Sequence, residues 1–385
     1  MSTRLTKLDE WPRHQAGGTF DVVVDGSPHW SDGYYFTAGA PDGSATVFIG
    51  FRLYANNDVL DTFVVASVEG RQHNMRWSRR LRPQIDELVC GPVSVEIVEP
   101  LRVIRVVVGA NDYGIELDLT WTGEAPPYNE ERLITILNGR VHADRSNYDQ
   151  CGRVDGMMTI GDRTIAVEEW SGVRDHSWGI GNQTGGPRSK AIAPDPDPPA
   201  PRGVRQWCVF RMRDRVLFWQ FHSPASGGYS KFETRVTYAY GDERPASSWT
   251  AVEHEIVWAT DESGRPVRRA LGSTLAFTNE DGTIERYLVE AISQPVYLQG
   301  GGYFAGFDDG LGRGVYRGEL HHEGEVWELD GPVGVHEPKG IMKLHADAYA
   351  EQWARCTNLD DPSDTGTGHL ECVVLGPYPG FDQPS

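Results

Sequence analysis

Long apolar runs are missing from this 385-residue sequence, and none approaches the roughly 18 uninterrupted apolar residues of a membrane helix. Residues 1–14, MSTRLTKLDEWPRH, also lack the apolar core of a signal peptide. We therefore expect a cytoplasmic protein that is not stably inserted in a membrane.

The sequence has fewer basic residues than acidic ones. The sequence has 36 lysines and arginines against 55 aspartates and glutamates, which gives a formal net charge of -19. A surface of this sign repels phosphate backbones and anionic lipid headgroups. We therefore exclude nucleic acids and membrane surfaces as partners, whereas a homodimer stays open.

Cysteines are few, and the 5 present are widely scattered without a Cys-x-x-Cys pair. This spacing argues against a zinc knuckle or a redox couple. We predict reduced thiols, some of them buried as small apolar groups. They are Cys90, Cys151, Cys208, Cys356 and Cys372.

Helical patterns are also scarce. Only residues 345–355, HADAYAEQWAR, have helical composition, and we predict one covering helix there. Elsewhere β-rich runs recur at short intervals, which predicts an all-β sandwich or barrel. Turn-forming dipeptides at 161–162, 213–214, 281–282 and 323–324 favour antiparallel hairpins. The β-rich runs are residues 45–54, 62–69, 101–109, 114–121, 163–170, 206–212, 216–222, 232–240 and 283–291.

Proline, glycine and charge crowd residues 186–203, where large apolar side chains are nearly absent. Such a segment cannot lie in a sheet and is predicted to be a linker or long loop. It divides the chain almost in half. We therefore predict two β domains, residues 1–185 and residues 204–385, on either side of it.

The densest group of reactive side chains lies in residues 172–179, GVRDHSWG. This run resembles the Asp-His-Asn/Ser-Trp-Gly signature of the carotenoid hydratase (hydroxyneurosporene synthase) superfamily, with Ser177 where asparagine is common. The resemblance implies two lipocalin-like antiparallel β-barrel or sandwich halves and an apolar cavity near their junction. Further segments resemble a bacterial branch of that superfamily: residues 76–83, 96–106, 139–156, 306–320 and 325–332.

Asp175 is the first catalytic candidate. Burial among aromatic side chains would raise the pKa of its carboxyl group, whereas a nearby arginine would lower that pKa. The resemblance implies that an acid at this place protonates a carbon–carbon double bond, and that water captures the resulting carbocation. This chemistry needs a carboxyl group held neutral in a dry cavity. The alternative is a structural role, in which Asp175 pairs with Arg174 or caps a turn before Gly179.

His176 is the second catalytic candidate, because it could orient Asp175, hold the attacking water or remove a proton from the cation. Neighbours on an extended strand point to opposite faces, so the two side chains can share a cavity only where the backbone bends or bulges. A histidine satisfied within the core is the alternative. Tyr148, the third candidate, could donate to a substrate oxygen or close a loop.

Several side chains are candidates for binding the substrate. Tryptophans facing a cavity could bind an apolar molecule and steady a developing cation, although most tryptophans fill cores. Arg79, within the basic run of residues 76–82, could hold a substrate anion or form ion pairs with surface carboxylates. His222 ends a predicted strand and could be a further acid or base. The full set is Trp77, Arg79, Arg174, Trp178, Trp207, His222 and Tyr303.

We expect no cofactor and no metal ion. The glycine-rich residues 310–314 precede a strand-like run, whereas a dinucleotide loop precedes a helix. Asp308, Asp309 and the pair His321-His322 could provide ligands, but adjacent histidines on a strand diverge. The resemblance then implies a hydratase or dehydratase that acts on a terpenoid, steroid or aromatic compound. An isomerase or cyclase using the same protonation, and a non-catalytic carrier of hydrophobic ligands, stay open.

Overall fold

The computed structural model describes residues 6, 8, 12, 17–181, 203–330, 334–337, 340–341, 350–375 and 378–381. Within them the chain is all-β and forms two curled antiparallel half-barrel sheets, which confirms the predicted lipocalin-like architecture. No helix in this part of the chain is long and apolar enough to cross a membrane. All five cysteines are buried and unpaired, as predicted.

The first sheet has 15 strands among the described residues. Its main order is β22-β21-β20-β4-β3-β2-β1-β12-β11-β8-β7-β6-β5, and β9 and β10 also pair with β11. The strands are β1 (Trp30–Gly39), β2 (Ala45–Tyr54), β3 (Val59–Val68), β4 (Arg71–Arg80), β5 (Val89–Cys90), β6 (Val93–Glu99), β7 (Val103–Val108), β8 (Ile115–Gly123), β9 (Tyr128–Asn129), β10 (Leu133–Leu137), β11 (Arg140–Ile160), β12 (Arg163–Ile180), β20 (Leu320–Asp330), β21 (Gly334–Glu337) and β22 (Gly340–Ile341).

The second sheet has 9 strands in the described part of the chain, in the order β15-β14-β13-β24-β23-β18-β17-β16, and β19 also pairs with β23. A 3-10 turn, Leu298–Gly301, follows β19. The strands are β13 (Gly203–Arg211), β14 (Arg215–Ser223), β15 (Lys231–Tyr238), β16 (Ala251–Thr260), β17 (Pro266–Thr278), β18 (Ile284–Ala291), β19 (Val296–Tyr297), β23 (Ala350–Asn358) and β24 (Thr365–Leu375).

Each sheet encloses its own hydrophobic core, because side chains alternate between the two faces of a strand. Phe36, Ile49 and Trp121 are among the buried side chains of the first core, and Phe210 and Trp219 are among those of the second. Full burial of one such large apolar side chain stabilises the fold by about 1.5–3 kcal/mol. The faces that point away from the two cores are therefore left to form the contact between the sheets.

The two sheets pack closely where β1 meets β23. Gly39 lies under the indole of Trp353, and a Cβ on Gly39 would come within 2.3 Å of the Trp353 Cγ atom. Trp353 is fully buried and packs with Val173 of the first sheet and Trp207 of the second. This close approach brings the outer face of β1 and β12 against the face of β13, β23 and β24.

Sheet membership does not follow chain order. β20 comes late in the sequence, yet it pairs with β4 of the first sheet. Buried Arg76 of β4 anchors this pairing, because its guanidinium donates to Glu323 at 3.3 Å and to Glu325 at 2.7 Å and 2.8 Å. The first half is thus completed by a strand from beyond residue 204. The domain boundaries themselves stay a prediction, and residues 186–202 of the proposed linker lie outside the described residues.

Two predictions about local structure are wrong. The part of the proposed helix that is described, residues 350–355, belongs to strand β23, because its Gln352, Trp353 and Ala354 are buried on both faces of the sheet. The dipeptide at residues 323–324 lies inside β20 and forms no turn. Gly324 has a different reason for being glycine: a Cβ there would come within 2.5 Å of the Asn74 carbonyl oxygen.

Candidate functional site

The reactive run lies on β12, between β1 and β11. Asp175 is directly opposite Tyr35 on one side and Asp149 on the other. His176 is opposite Tyr34 and Tyr148. The pairing of β12 with both neighbours is regular here, and the register shift in β11 falls further along, between Val154 and Gly156. The strand therefore does not bulge at these residues, and Asp175 and His176 point to opposite faces of the sheet.

His176 faces the first core. Its Nε2 atom lies 2.8 Å from Oδ1 of Asp32, and its Nδ1 atom lies 3.4 Å from the Tyr148 hydroxyl. The Tyr34 ring packs against it with centroids 4.4 Å apart, and the Trp178 ring lies 5.4 Å away. His176 thus contacts two of the predicted residues, Tyr148 and Trp178.

Arg174 lies on the same face and is buried. Its Nε atom donates to Oε1 of Gln150 at 2.9 Å, and its Nη1 atom donates to the Tyr148 hydroxyl at 3.0 Å. These contacts hold the Arg174 guanidinium on the face of the sheet that points away from Asp175. The alternative in which Asp175 pairs with Arg174 is therefore not what the structure shows.

A pocket of about 670 Å³ opens beside His176. Asp32 and His176 contribute polar atoms to its lining, which is otherwise mostly apolar. This volume lies in the range of small-molecule sites. The apolar lining includes Phe20, Val22, Trp30, Leu53 and Leu88.

Asp175 faces the second sheet, where its Oδ1 atom is buried without a hydrogen-bond partner among the described residues. Burial raises the pKa of its carboxyl group above the usual value. The charges of Arg145 and Arg52 oppose this shift, and Glu130 adds to it. Together these effects leave the pKa of Asp175 raised, which shifts its titration toward the neutral form.

Two further carboxyl groups lie beside Asp175. Burial and the charges of Glu130 and Asp175 raise the pKa of Asp149 well above its usual value. Burial alone would also raise the pKa of Glu130, but the neighbouring Asp149 side chain and the charge of Lys231 lower it instead. The three carboxyl groups therefore titrate as a set, in which burial favours protonation of the aspartates and Lys231 favours ionisation of Glu130.

Ser177 fixes the two arginines that approach Asp175. Nη2 of Arg52 donates to the Ser177 hydroxyl at 2.6 Å, and Nη1 of Arg52 donates to the Ser177 carbonyl at 3.1 Å. Arg145 also donates to that hydroxyl. Burial and the charge of Arg145 lower the pKa of Arg52 to about 10. The neutral hydroxyl of Ser177 thus holds two arginine side chains near Asp175.

The second sheet contributes an aromatic wall and more ionisable groups to this region. Nε1 of Trp207 donates to Oε1 of Glu130 at 3.2 Å, and the Trp207 ring lies 4.8 Å from the His369 ring. Trp207 was predicted from the sequence as a site residue, and the structure brings it beside the carboxyl groups around Asp175. The Trp207 side chain thus lies between the carboxyl groups around Asp175 and the ionisable side chains of β23 and β24.

A second group of ionisable side chains lies on β23 and β24, with Glu351 at its centre. Glu351 is 3% exposed. Its Oε2 atom accepts a hydrogen bond from the Tyr35 hydroxyl and lies 3.4 Å from Nε2 of His369. Burial raises the pKa of Glu351 to about 7, against a lowering by the Tyr35 hydrogen bond and by Arg205. Burial likewise lowers the pKa of His369 to about 3, so this imidazole is neutral.

Glu351, His369 and Glu371 have donor atoms within 4.8 Å of one another, a spacing that a metal ion could bridge. Both carboxylates, however, already have protein partners. Arg205 forms an ion pair with Glu371, and Tyr35 donates to Glu351. We therefore interpret the group as charge-balanced by Arg205 and a proton.

We call the whole region the inter-sheet cluster. Its acids other than Asp175 could not be recognised in the sequence, because Asp149, Glu351 and Glu371 meet only through strand pairing and sheet packing. The sequence gives one weak signal, which is that each of these three acids lies near an aromatic residue or a cysteine. The inter-sheet cluster consists of Tyr35, Glu130, Asp149, Asp175, Trp207, Glu351, His369 and Glu371.

The remaining predicted residues are dispersed. Trp77 stacks on His322 with centroids 4.2 Å apart. Arg79 donates five hydrogen bonds to backbone carbonyls of residues 80–89, which hold the loop after β4. Both lie on β4, which β3 and β2 separate from β1. Their roles in substrate binding stay predictions.

Tyr303 lies nearer the inter-sheet cluster. Its ring packs 5.8 Å from that of Phe63 and under the guanidinium of Arg313, and its charge acts on the pKa of Tyr35. His222 lies on β14, opposite Lys231 and Arg205 in the ladder. Their roles in binding also stay predictions.

Solved structures of low sequence identity resemble this chain. A protein from Nitrosomonas europaea, provisionally named AttH, is 12% identical with a TM-score of 0.52, over 89% of this chain and 92% of that one. This likeness shows the fold alone. Kievitone hydratase from Nectria haematococca is 10% identical with a TM-score of 0.38, over 92% and 94%. CghA bound to Sch210972 is 12% identical with a TM-score of 0.49, over 91% and 89%.

A comparison with curated proteins found no match. The predicted relation to the carotenoid hydratases therefore stays a prediction beyond the fold. One family model, in contrast, covers nearly the whole chain, from residue 5 to residue 381. The protein thus belongs to DUF8625, a family of unknown function.

Proposed function

We propose that the protein is an enzyme that protonates a double bond of a hydrophobic small molecule held between the two sheets. Asp175 is the proton donor, and water then adds to the cation in a hydration, or leaves in the reverse dehydration. The same protonation without water capture gives an isomerisation or a cyclisation. The substrate class is a terpenoid, steroid or unsaturated aromatic compound.

One observation carries this proposal: Asp175 has a buried, unpartnered oxygen and a pKa raised by burial. An acid that protonates an alkene must be neutral near the working pH and shielded from water. Burial moves Asp175 toward the first condition, because it raises the pKa of the carboxyl group. Trp207 adds an aromatic side chain beside the carboxyl groups around Asp175, which suits an apolar substrate and a developing cation.

A second candidate function is a non-catalytic carrier, and the pocket of about 670 Å³ beside His176 favours it. Barrels of this type can hold an apolar ligand in their mouth. Asp32 and His176 would then recognise the polar end of that ligand. The carrier uses the face of β12 opposite Asp175, so the two functions predict different residues at the ligand.

A screen in heavy water tests the proposal. Purified protein in deuterated buffer is incubated with a panel of terpenoid, steroid and prenylated aromatic alkenes, and the products are analysed by mass spectrometry. We expect one alkene to gain the elements of heavy water, or to keep its skeleton with one deuterium bound to carbon. Tight binding of an alkene without any carbon-bound deuterium would favour the carrier.

A further inference from the structure

Glu351 and Glu371 face each other directly across the β23–β24 ladder. Like charges in such a position repel, and burial makes the repulsion stronger. The guanidinium of Arg205 forms its ion pair with Glu371 and acts on Glu351 through its charge. Among the described residues no ion pair joins Glu351 to a lysine or arginine, so protonation is what relieves its charge. Burial raises the pKa of Glu351 to about 7, although the Tyr35 hydrogen bond and the charge of Arg205 lower it.

The groups facing Glu351 come from both sheets. His369 lies on the neighbouring strand β24 and is neutral, and Arg205 lies on β13 beyond it. Tyr35 of the first sheet supplies the hydroxyl that donates to Glu351, and burial raises the pKa of this hydroxyl well above the usual value. None of these groups takes the proton from Glu351 near neutral pH.

Tyr35 also connects Glu351 to Asp175. It is the residue directly opposite Asp175 in the β1–β12 ladder, so both side chains lie on the face toward the second sheet. Its hydroxyl reaches Glu351 on β23. Tyr35 is thus hydrogen-bonded to one carboxyl group of the second sheet and is the ladder neighbour of another carboxyl group in the first sheet.

We infer that Glu351 is a second proton-transfer group of the inter-sheet cluster, acting from the second sheet opposite Asp175. This inference rests on the proposed function and deepens it. A hydration needs an acid for the alkene carbon and a base for the attacking water, and two carboxyl groups in different surroundings can divide these roles.

The steps balance without a further reagent. The π electrons of the alkene take the proton of Asp175, which forms a C–H bond, leaves a cation on the neighbouring carbon and leaves Asp175 ionised. A lone pair of water then forms the C–O bond, and Glu351, in the ionised form that it takes above its pKa of about 7, accepts one proton of that water. Return of this proton from Glu351 to Asp175 resets the enzyme, and the Tyr35 hydroxyl, which is hydrogen-bonded to Glu351, is the first group on this path. The net reaction is addition of one water to one alkene.

Labelling with dicyclohexylcarbodiimide tests the inference without a substrate. This apolar reagent attacks protonated carboxyl groups in dry surroundings: the carboxyl oxygen adds to its central carbon, the acid proton moves to a nitrogen, and acyl transfer leaves a stable N-acylurea. We expect labels on Glu351 and Asp175 at pH 6, located by peptide mass spectrometry, and none on exposed Glu116. Labelling of Asp175 without Glu351 would overturn the inference.

Turnover of the alkene found in the heavy-water screen separates this inference from the proposed function. Glu351→Gln should lower kcat about 10²-fold and remove the limb of the pH–rate profile near pH 7, which a merely structural role would not move. Tyr35→Phe should keep that limb but slow the reset. If Asp175→Asn is inactive while Glu351→Gln keeps its rate and its pH profile, the inference fails and the proposed function stands. If no substrate gains deuterium, the proposed function fails, and the labelling still reports on Glu351.

Discussion

Asp175→Asn is expected to lower turnover by about 10²–10⁴-fold, the usual contribution of a general acid. Asparagine has the shape of a neutral aspartic acid but no proton to give. Because burial already favours the neutral form of Asp175, the substitution should leave the free energy of unfolding at pH 7 equal or slightly higher. Steady-state kinetics on the alkene that gains deuterium in the heavy-water screen measure the first effect, and chemical denaturation measures the second.

A matched control is Asp118→Asn. Asp118 is an exposed aspartate on β8 that pairs with Arg105 at 2.6 Å, and surface pairs of this kind contribute little to stability. Its variant should keep both turnover and stability. Wild-type turnover in Asp175→Asn would end the proposal of acid catalysis by this residue. Equal loss of activity and of folded protein would mean that Asp175 is structural.

The sequence predicted the sheets well, because their strands follow two simple rules. Alternating apolar residues line each core, and glycine or aspartate marks most of the turns. The run at residues 45–54 coincides with β2, and the run at residues 283–291 matches β18 to one residue. The wrong helix over residues 350–355 shows the limit. A strand buried on both faces loses its alternation, so composition alone misassigned it.

The candidate site was predictable only in part. The density of reactive side chains pointed to Asp175, and the tryptophan count pointed to Trp207 among others. The separation of Asp175 from His176 followed from strand geometry once the bulge proved absent. Glu351, however, becomes a neighbour of Tyr35 only when the two sheets pack together, because the two residues are 316 positions apart in the sequence. No local pattern carries that information.

The inter-sheet cluster costs the fold stability. Buried carboxyl groups cost free energy unless each is paired or protonated, and an apolar contact between the sheets would avoid that cost. Natural proteins commonly accept such a loss at sites that do chemistry. The concentration of acids between the sheets, while both cores are apolar, is the pattern that this trade-off produces.

The same cost makes stability depend on pH. The pKa of Glu351 is about 7 in the folded protein, against a usual value of 4.5, so the folded state binds more protons between these values. The contribution of Glu351 is therefore fully present below about pH 4.5 and is lost as the pH rises through about 7. A shift of this size corresponds to about 3 kcal/mol of unfolding free energy.

Glu351→Gln removes this dependence, because glutamine stays neutral at every pH. We expect the variant to become more stable than the wild type above pH 7, with the difference between them changing by about 3 kcal/mol between pH 4.5 and pH 8. Urea denaturation over this range measures this difference.

His369 affects the pH dependence of stability in the opposite direction, because its pKa is lowered to about 3. This effect is the same in the wild type and in the variant. Glu116→Gln, at an exposed position of β8, should follow the wild type at each pH. Parallel curves for wild type and Glu351→Gln would show that Glu351 is ionised in the folded protein, and it could not then hold the proton that balances the inter-sheet cluster.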